Sequence, residues 1–508
     1  MSYDVAIVGG GSAGCVLAAR LSEDPSRSVL LLEAGPDYAT IDRLPAEIRD
    51  GANPTGSHDW GFRSEPDEAG RVEDLLRGKL IGGCSSTNAC MAVRGSPADY
   101  DEWAAHGNPG WSFDDVLPFF RSIERDLDAG DEEWHGARGP LPIRRDAPDQ
   151  LVPVQAAALD AAVALGYPPA PDHNRPGAVG VGPWPTNRVD GVRMSTSITF
   201  LAPARSRPNL TIRPEAMVDR VVVDGNRATR IAVAGDEEPV EAALIVLAAG
   251  TYGSASILLR SGIGPKDGLD ALSIPLVRDV QGVGRNLVEH VWLSVDVPTA
   301  PDQPPGPLGQ TLVTAHSSGM DPARAPDLQL IVASARNVGP DASPTGGLFF
   351  IGVSVVKPRS RGRLWLRSPE PQAPPAIDPA ILRDPDDMRR AVEGVRAARE
   401  LLHTRPLAEL VEGPEIGPAP GVADDDAAGL ARQIRATYGT YYHPVGTCRM
   451  GPDPERGDVV DANGRVHGVE GLVIADASIM PDIPSANTNL PTIMIAERLA
   501  AAMRDEPF

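Results

Sequence analysis

Tyr3-Asp4-Val5-Ala6-Ile7-Val8-Gly9-Gly10-Gly11-Ser12-Ala13-Gly14 decides the fold. An apolar run ends on a glycine cluster, and a helical pattern follows from Ala13 to Leu21 before a second apolar strand from Ser28 to Glu33. Strand, glycine turn, helix and strand in that order make a βαβ unit, and so a parallel sheet. Within it, Gly9-x-Gly11-x-x-Gly14 has the spacing that lets a turn close and a backbone approach a pyrophosphate at a helix N-terminus. Glu33 ends the second strand about twenty residues further on, where a carboxylate accepts hydrogen bonds from ribose hydroxyls. Gly9, Gly11, Ser12, Ala13, Gly14, Glu33 and Ala34 are therefore candidate dinucleotide contacts. The same stretch also satisfies Gly10-x-Ser12-x-Gly14, the pattern of a hydrolase nucleophile elbow. An elbow on the first strand of a chain would lack the sheet that normally precedes it, and Glu33 would have no task.

At 508 residues, with 42% hydrophobic and 23% charged side chains, the chain has the composition of a globular protein with two or three structural units. Lys+Arg 47 against Asp+Glu 69 leaves a net charge of -22, which repels a phosphate backbone and argues against a nucleic-acid partner. Cys15, Cys84, Cys90 and Cys448 have no metal-ligand spacing, so no metal is expected. The start of the chain carries no secretory pattern and no segment reaches the length of a membrane span, so the expected compartment is the cytoplasm.

Further along, residues 43–69 are rich in Gly, Pro, Asp and Trp and read as an irregular, lid-like stretch. Gln155 to Leu165, Pro385 to Leu402 and Asp424 to Tyr438 have helical patterns, while Thr211 to Asp224 and Leu244 to Ala249 are β-type runs. From Val291 to Arg367, segments such as Leu328 to Val332 and Phe349 to Val356 alternate with Pro/Gly punctuation, which suits an antiparallel sheet. The tail closes with a strand from Gly471 to Ala475 and a helix from Pro491 to Met503.

Several motifs in this order resemble the glucose-methanol-choline (GMC) oxidoreductase family. They are Gly78-Lys79-Leu80-Ile81-Gly82-Gly83-Cys84-Ser85-Ser86-Thr87-Asn88, then Gly250-Thr251-Tyr252-Gly253-Ser254, then Gly282-Val283-Gly284-Arg285-Asn286-Leu287 with His290. Lys357-Pro358-Arg359-Ser360-Arg361-Gly362, His443-Pro444-Val445-Gly446-Thr447, Asp476-Ala477-Ser478 and Asn487-Thr488-Asn489 complete the set. The resemblance implies an α/β, doubly wound, Rossmann-like FAD-binding domain from residues 1–150, 210–290 and 440–508. It implies an α+β substrate domain with an antiparallel sheet from 151–209 and 291–439.

The resemblance also implies FAD as cofactor, with Gly82, Gly83, Ser85, Asn88, Ala89, Val218, Ala249, Asp476, Ala477, Asn487 and Thr488 among its contacts. Thr87 stands where covalently flavinylated relatives have a histidine, so non-covalent FAD is expected. Ala255 replaces a proline common in the second signature.

Moving a hydride off an alcohol carbon requires the hydroxyl proton to leave, and histidine is the base whose ordinary pKa suits that task. The resemblance assigns this role to His443 and the partner position to Asn487, whose amide can orient the substrate oxygen. His290 reads as structural. Tyr442, Trp60 and Phe349 are candidate pocket walls, with Trp292, Phe350 and Trp365 as further aromatic candidates.

The implied activity is oxidation of a primary, aromatic or otherwise uncharged alcohol, with oxygen or another electron acceptor. Choline oxidation is the alternative, and an FAD-containing hydroxynitrile lyase the alternative of another class.

Overall fold

The computed structural model describes residues 2–504; Met1 and residues 505–508, which fall within the expected first and last segments, lie outside the described residues. Ser2–Val8 is the central strand of a seven-stranded sheet, pairing in parallel with Val29–Leu32 on one side and Val240–Leu247 on the other. Leu210–Arg213 extends the parallel region beyond Val29–Leu32. The other edge of Val240–Leu247 is shared. Its start takes the antiparallel hairpin Val218–Asp224 and Arg227–Val233, and its end takes Leu472–Ile474 in parallel. Val29 to Leu32 are all buried, as expected of a strand covered on both faces. Helix Ser12–Leu21 packs against the C-terminal helix Asn489–Arg504.

A second sheet is antiparallel, in the order Gly439–Thr440, Val291–Thr299, Gly347–Val355, Leu328–Val332, Thr311–Ala315, Gly180–Pro183. Helix Pro385–Leu402 covers one face, with Val295, Phe349, Ile351 and Val353 in the core beneath it. The opposite face carries Trp292, Leu312, Ile331 and Phe350 toward the first sheet.

Two expectations about elements need correction. The single run from Thr211 to Asp224 is two strands, because Pro214 and the left-handed Glu215 (φ 54°) end the first and redirect the chain. The last helix begins at Asn489, two residues before the expected Pro491, because proline is tolerated in a first turn whose N–H groups have no helical partner. No helix among the described residues is long and apolar enough to cross a membrane.

Candidate active site

A cavity of about 780 Å³ runs from the carboxyl ends of the parallel strands, at Val8, Leu32 and Ala248, to the antiparallel sheet at Trp292 and Phe350. Ligands of open α/β sheets bind at this end of the strands. Gly9 turns the chain there with φ +101°, and a Cβ at Gly9 would sit 2.5 Å from Ala248 O. Gly11 caps helix Ser12–Leu21 with no side-chain acceptor, so the first N–H groups of that helix stay available to an anion.

Glu33 closes this end. Its Oε2 accepts from Gly10 N and its Oε1 from Gly35 N, both at 2.8 Å, while burial raises its pKa to about 7. Gly9, Gly11, Ser12, Ala13, Glu33, Ala34, Gly83, Asn88, Ala89, Val218, Ala249, Asp476, Ala477, Asn487 and Thr488 all line the cavity. An elongated cavity with a glycine cradle, a bare helix start and a carboxylate at one end fits a flavin dinucleotide.

Three of the expected contacts stand behind that wall. A Cβ on Gly14 would meet Gly9 O at 1.8 Å, so this glycine lets the helix lie against the turn. Gly82 adopts φ +96° and donates its N–H to Gly10 O at 2.7 Å, joining the two glycine segments. Ser85 is buried, its hydroxyl donating to Gly82 O at 2.6 Å. The Ser12 hydroxyl donates to Asn489 Oδ1 at 2.8 Å, so the hydrolase pattern has an amide, and no histidine, as the partner of its serine.

His443 and Asn487 meet at the other end. His443 lies on a segment paired antiparallel to Val288–His290: Tyr441 N donates to His290 O and Val445 N to Val288 O, both at 3.0 Å. Between those bonds, His443 N donates to Glu289 Oε1 at 2.6 Å. The Glu289 carboxyl is buried and its pKa is raised to about 7. Tyr442 makes the bend with a left-handed backbone (φ 64°), and Arg77 Nη2 donates to its carbonyl at 2.6 Å. Asn487 reaches the same spot from the loop before the last helix. That loop is tied down by Ser485 N and Oγ, which donate to Asp99 Oδ2, and by Lys357 Nζ, which donates to Ile483 O at 2.9 Å.

The protonation of His443 follows from its neighbours. His290 Nε2 faces Val356 O at 2.9 Å, and a carbonyl only accepts, so Nε2 carries the proton. Burial pulls the His290 pKa down to about 3, leaving it neutral with a lone pair on Nδ1. His443 Nδ1 lies 3.0 Å from that lone pair and is therefore the donor. The remaining lone pair of His443 is then on Nε2, which accepts from Asn487 Nδ2 at 3.1 Å. Burial, His290 and Arg77 all hold the His443 pKa well below the usual histidine value, so the ring is neutral at pH 7. His290, expected to be structural, is the residue that determines this tautomer.

Aromatic rings continue from the histidine along the wall. Tyr441 lies 4.1 Å from His443 between ring centroids, Trp292 4.9 Å from Tyr441, and Phe350 6.1 Å from Trp292. Met91 and Leu308 complete this apolar side. Of the expected wall residues, Tyr442 and Trp60 line the cavity and Phe349 does not. Successive strand residues point to opposite faces, so Phe349 enters the core under helix Pro385–Leu402 and Phe350 faces the cavity. Trp365 is likewise outside the cavity wall, whereas Thr87 is part of it.

GMC oxidoreductase family models match residues 3–292 and 358–496. The chain is 39% identical to the 5-(hydroxymethyl)furfural oxidase of Methylovorus sp. (strain MP688), with 99% of this chain and 98% of that protein covered. It is 36% identical to the oxygen-dependent choline dehydrogenase of Burkholderia thailandensis, covering 99% and 94%. Among solved structures, pyridoxine 4-oxidase from Mesorbium loti superposes with a TM-score of 0.91 at 34% identity over 100% of both chains. The formate oxidase of Aspergillus oryzae RIB40 shares the fold, with a TM-score of 0.89 at 24% identity over 99% of this chain and 98% of that one. Motifs, sheet topology and cavity agree with these matches, and the chain belongs to the GMC oxidoreductase family.

Proposed function

We propose that this oxidoreductase converts a primary alcohol, with an aromatic or otherwise uncharged body, to the aldehyde. FAD is the cofactor, held non-covalently with Thr87 at its wall, and when bound it supplies the hydride acceptor. The reading rests on one observation above the others: the His443 Nε2 lone pair and the Asn487 amide converge within 3.1 Å on a cavity whose adjoining wall is aromatic. An alcohol hydroxyl placed there gives its proton to Nε2, while Asn487 Nδ2 donates to the oxygen that is becoming negative. His290 keeps the second proton of the ring on Nδ1. Burial of both histidines excludes bulk water from the transfer. We also assign the first sheet, with residues 1–150, 210–290 and 440–508, to cofactor binding, and residues 151–209 and 291–439 to the substrate.

The wall chemistry favours an uncharged body over choline. Each cavity carboxylate is already engaged: Glu33 by backbone N–H groups, Asp476 by Gly250 N, Ser254 Oγ and Ser478 N, and Glu73 by Arg71. Among the described residues, a quaternary ammonium would find rings in the cavity wall but no free carboxylate. Anaerobic mixing of the yellow holoenzyme with benzyl alcohol or choline tests this. Bleaching by benzyl alcohol and not by choline is expected, and admission of oxygen then shows whether oxygen serves as acceptor. Bleaching by choline alone would reverse the substrate assignment. A flavin that stays oxidised with every alcohol would favour the lyase.

A further inference from the structure

The peptide group that precedes the base is held at both ends. Arg77 Nη2 donates to Tyr442 O, and His443 N donates to Glu289 Oε1, each at 2.6 Å. That carbonyl and that N–H belong to one planar unit, so a cation meets the negative end of its dipole and a carboxyl the positive end. Both contacts lie outside the short ladder that pairs this segment with Val288–His290, whose rungs are Tyr441 N to His290 O and Val445 N to Val288 O.

Two observations show why the unit needs holding. Tyr442 has a left-handed backbone (φ 64°), which a Cβ disfavours, and its side chain is exposed, so core packing does little to keep it there. His290 meets the imidazole of His443 at Nδ1, but one hydrogen bond to a ring does not place the backbone that carries it. A tilt of the Tyr442–His443 peptide would carry Nε2 with it.

Resting on the reading of His443 as the base, we infer that Arg77 and Glu289 are positioning residues that clamp the Tyr442–His443 peptide by its two poles and so set where Nε2 meets the alcohol. They act through the backbone of the base rather than on the alcohol. Oε1 of Glu289 can accept from the N–H whether the carboxyl is ionised or protonated, so the clamp is a matter of hydrogen bonding.

Anaerobic flavin reduction by benzyl alcohol, with FAD content determined for each protein, tests the roles in turnover. Arg77→Met and Glu289→Ala are each expected to slow reduction by roughly ten- to a hundredfold, with the Kd for the alcohol changed by no more than about twofold. Glu289→Gln, which keeps an oxygen for the N–H, should recover most of the rate, and Arg77→Lys, which keeps a cationic donor, part of it. Because both side chains hold one peptide, the double variant should reduce within about threefold of the slower single one, where independent roles would multiply the losses.

Hydrogen exchange of the segment containing His443, followed by mass spectrometry on the oxidised holoenzyme, reads the clamp without turnover. Arg77→Met should speed exchange there although it leaves the Glu289 carboxyl in place, and Glu289→Ala should do the same. If either truncated variant loses FAD, Arg77→Lys takes its place, with an intermediate rate and intermediate exchange expected. Wild-type reduction or exchange in the truncated variants, multiplicative losses, or Glu289→Gln as slow as Glu289→Ala would overturn the assignment. If benzyl alcohol reduces the wild type and the variants equally, the clamp falls and alcohol oxidation stands. If no alcohol reduces the wild type while exchange responds as expected, the alcohol reading falls and the clamp on His443 stands.

Discussion

His443 and His290 are 153 positions apart and share a hydrogen bond because their segments pair as a short antiparallel ladder. The bond has a chemical consequence. Val356 O fixes the tautomer of His290, and His290 fixes that of His443, so the remaining lone pair of His443 is on Nε2, beside the Asn487 amide, where the proposed reaction needs it. Removing the intermediate ring should therefore affect the rate more than binding. His290→Ala is expected to slow flavin reduction by roughly ten- to a hundredfold with little change in KM. It should also raise the acid limb of the pH profile toward the ordinary histidine value, since His290 is one of the groups holding the His443 pKa down. His290→Gln, able to donate to Val356 O and accept from His443 Nδ1, should recover part of the rate. Anaerobic stopped-flow across pH checks this, and a wild-type rate and limb in His290→Ala would remove the relay. His443 and Asn487 were readable from their motifs. The task of His290 was not, because it depends on a pairing between remote segments that no local pattern announces.

At the scale of elements, the opening strand, glycine turn and helix were readable because their residues make their own contacts locally. Gly9 needs its positive φ within the turn, and Val29 to Leu32 form an unbroken apolar run. Placement was harder where two neighbours share a chemistry. Phe349 and Phe350 are equivalent in composition, and only the sheet decides that the first is core and the second wall. The glycines present the same ambiguity. Gly9 and Gly11 line the cavity while Gly14 and Gly82 serve packing and chain crossing, although all four sit in the motifs that suggested them. Spacing identifies where a backbone must come close, and the partner of that close approach is a tertiary fact.

At the scale of the whole molecule, a buried charge cluster outside the cavity wall is internally paired. His135 Nδ1 lies 3.0 Å from Glu124 and 3.1 Å from Asp126, and Nε2 lies 2.8 Å from Asp172. Arg94 pairs with Glu124, and Arg145 with Asp126 and Asp172. Three carboxylates thus face two guanidiniums and an imidazolium. Glu124, Asp126 and His135 bring metal-ligating atoms together, but the neighbouring arginines already neutralise the carboxylates. The carboxylates hold the His135 pKa up to about 10, and the cations hold Asp126 and Asp172 well below the usual carboxylate range.

Stability from the raised histidine is fully present below its unfolded value of about 6.5 and fades as pH climbs through 10. Stability from the depressed carboxylates is present above about 3.9 and is lost in acid. His135→Gln should cost about 3 kcal/mol near pH 6, by leaving buried carboxylates short of a cation, and the deficit should narrow toward pH 10. Thermal unfolding of both proteins at pH 6 and pH 10 measures it, and a pH-independent deficit would contradict the charged state of His135.

Proton abstraction by His443 is the claim on which the rest depends. The most direct measurement is the anaerobic rate of flavin reduction by benzyl alcohol in the wild type and in His443→Ala, with FAD content determined for both. The account predicts full FAD occupancy in the variant and reduction slower by roughly 10²- to 10⁴-fold. It also predicts a wild-type acid limb below pH 6.5, because the His443 pKa is held down in the folded chain. A His443→Ala variant that reduces its flavin at the wild-type rate would contradict it.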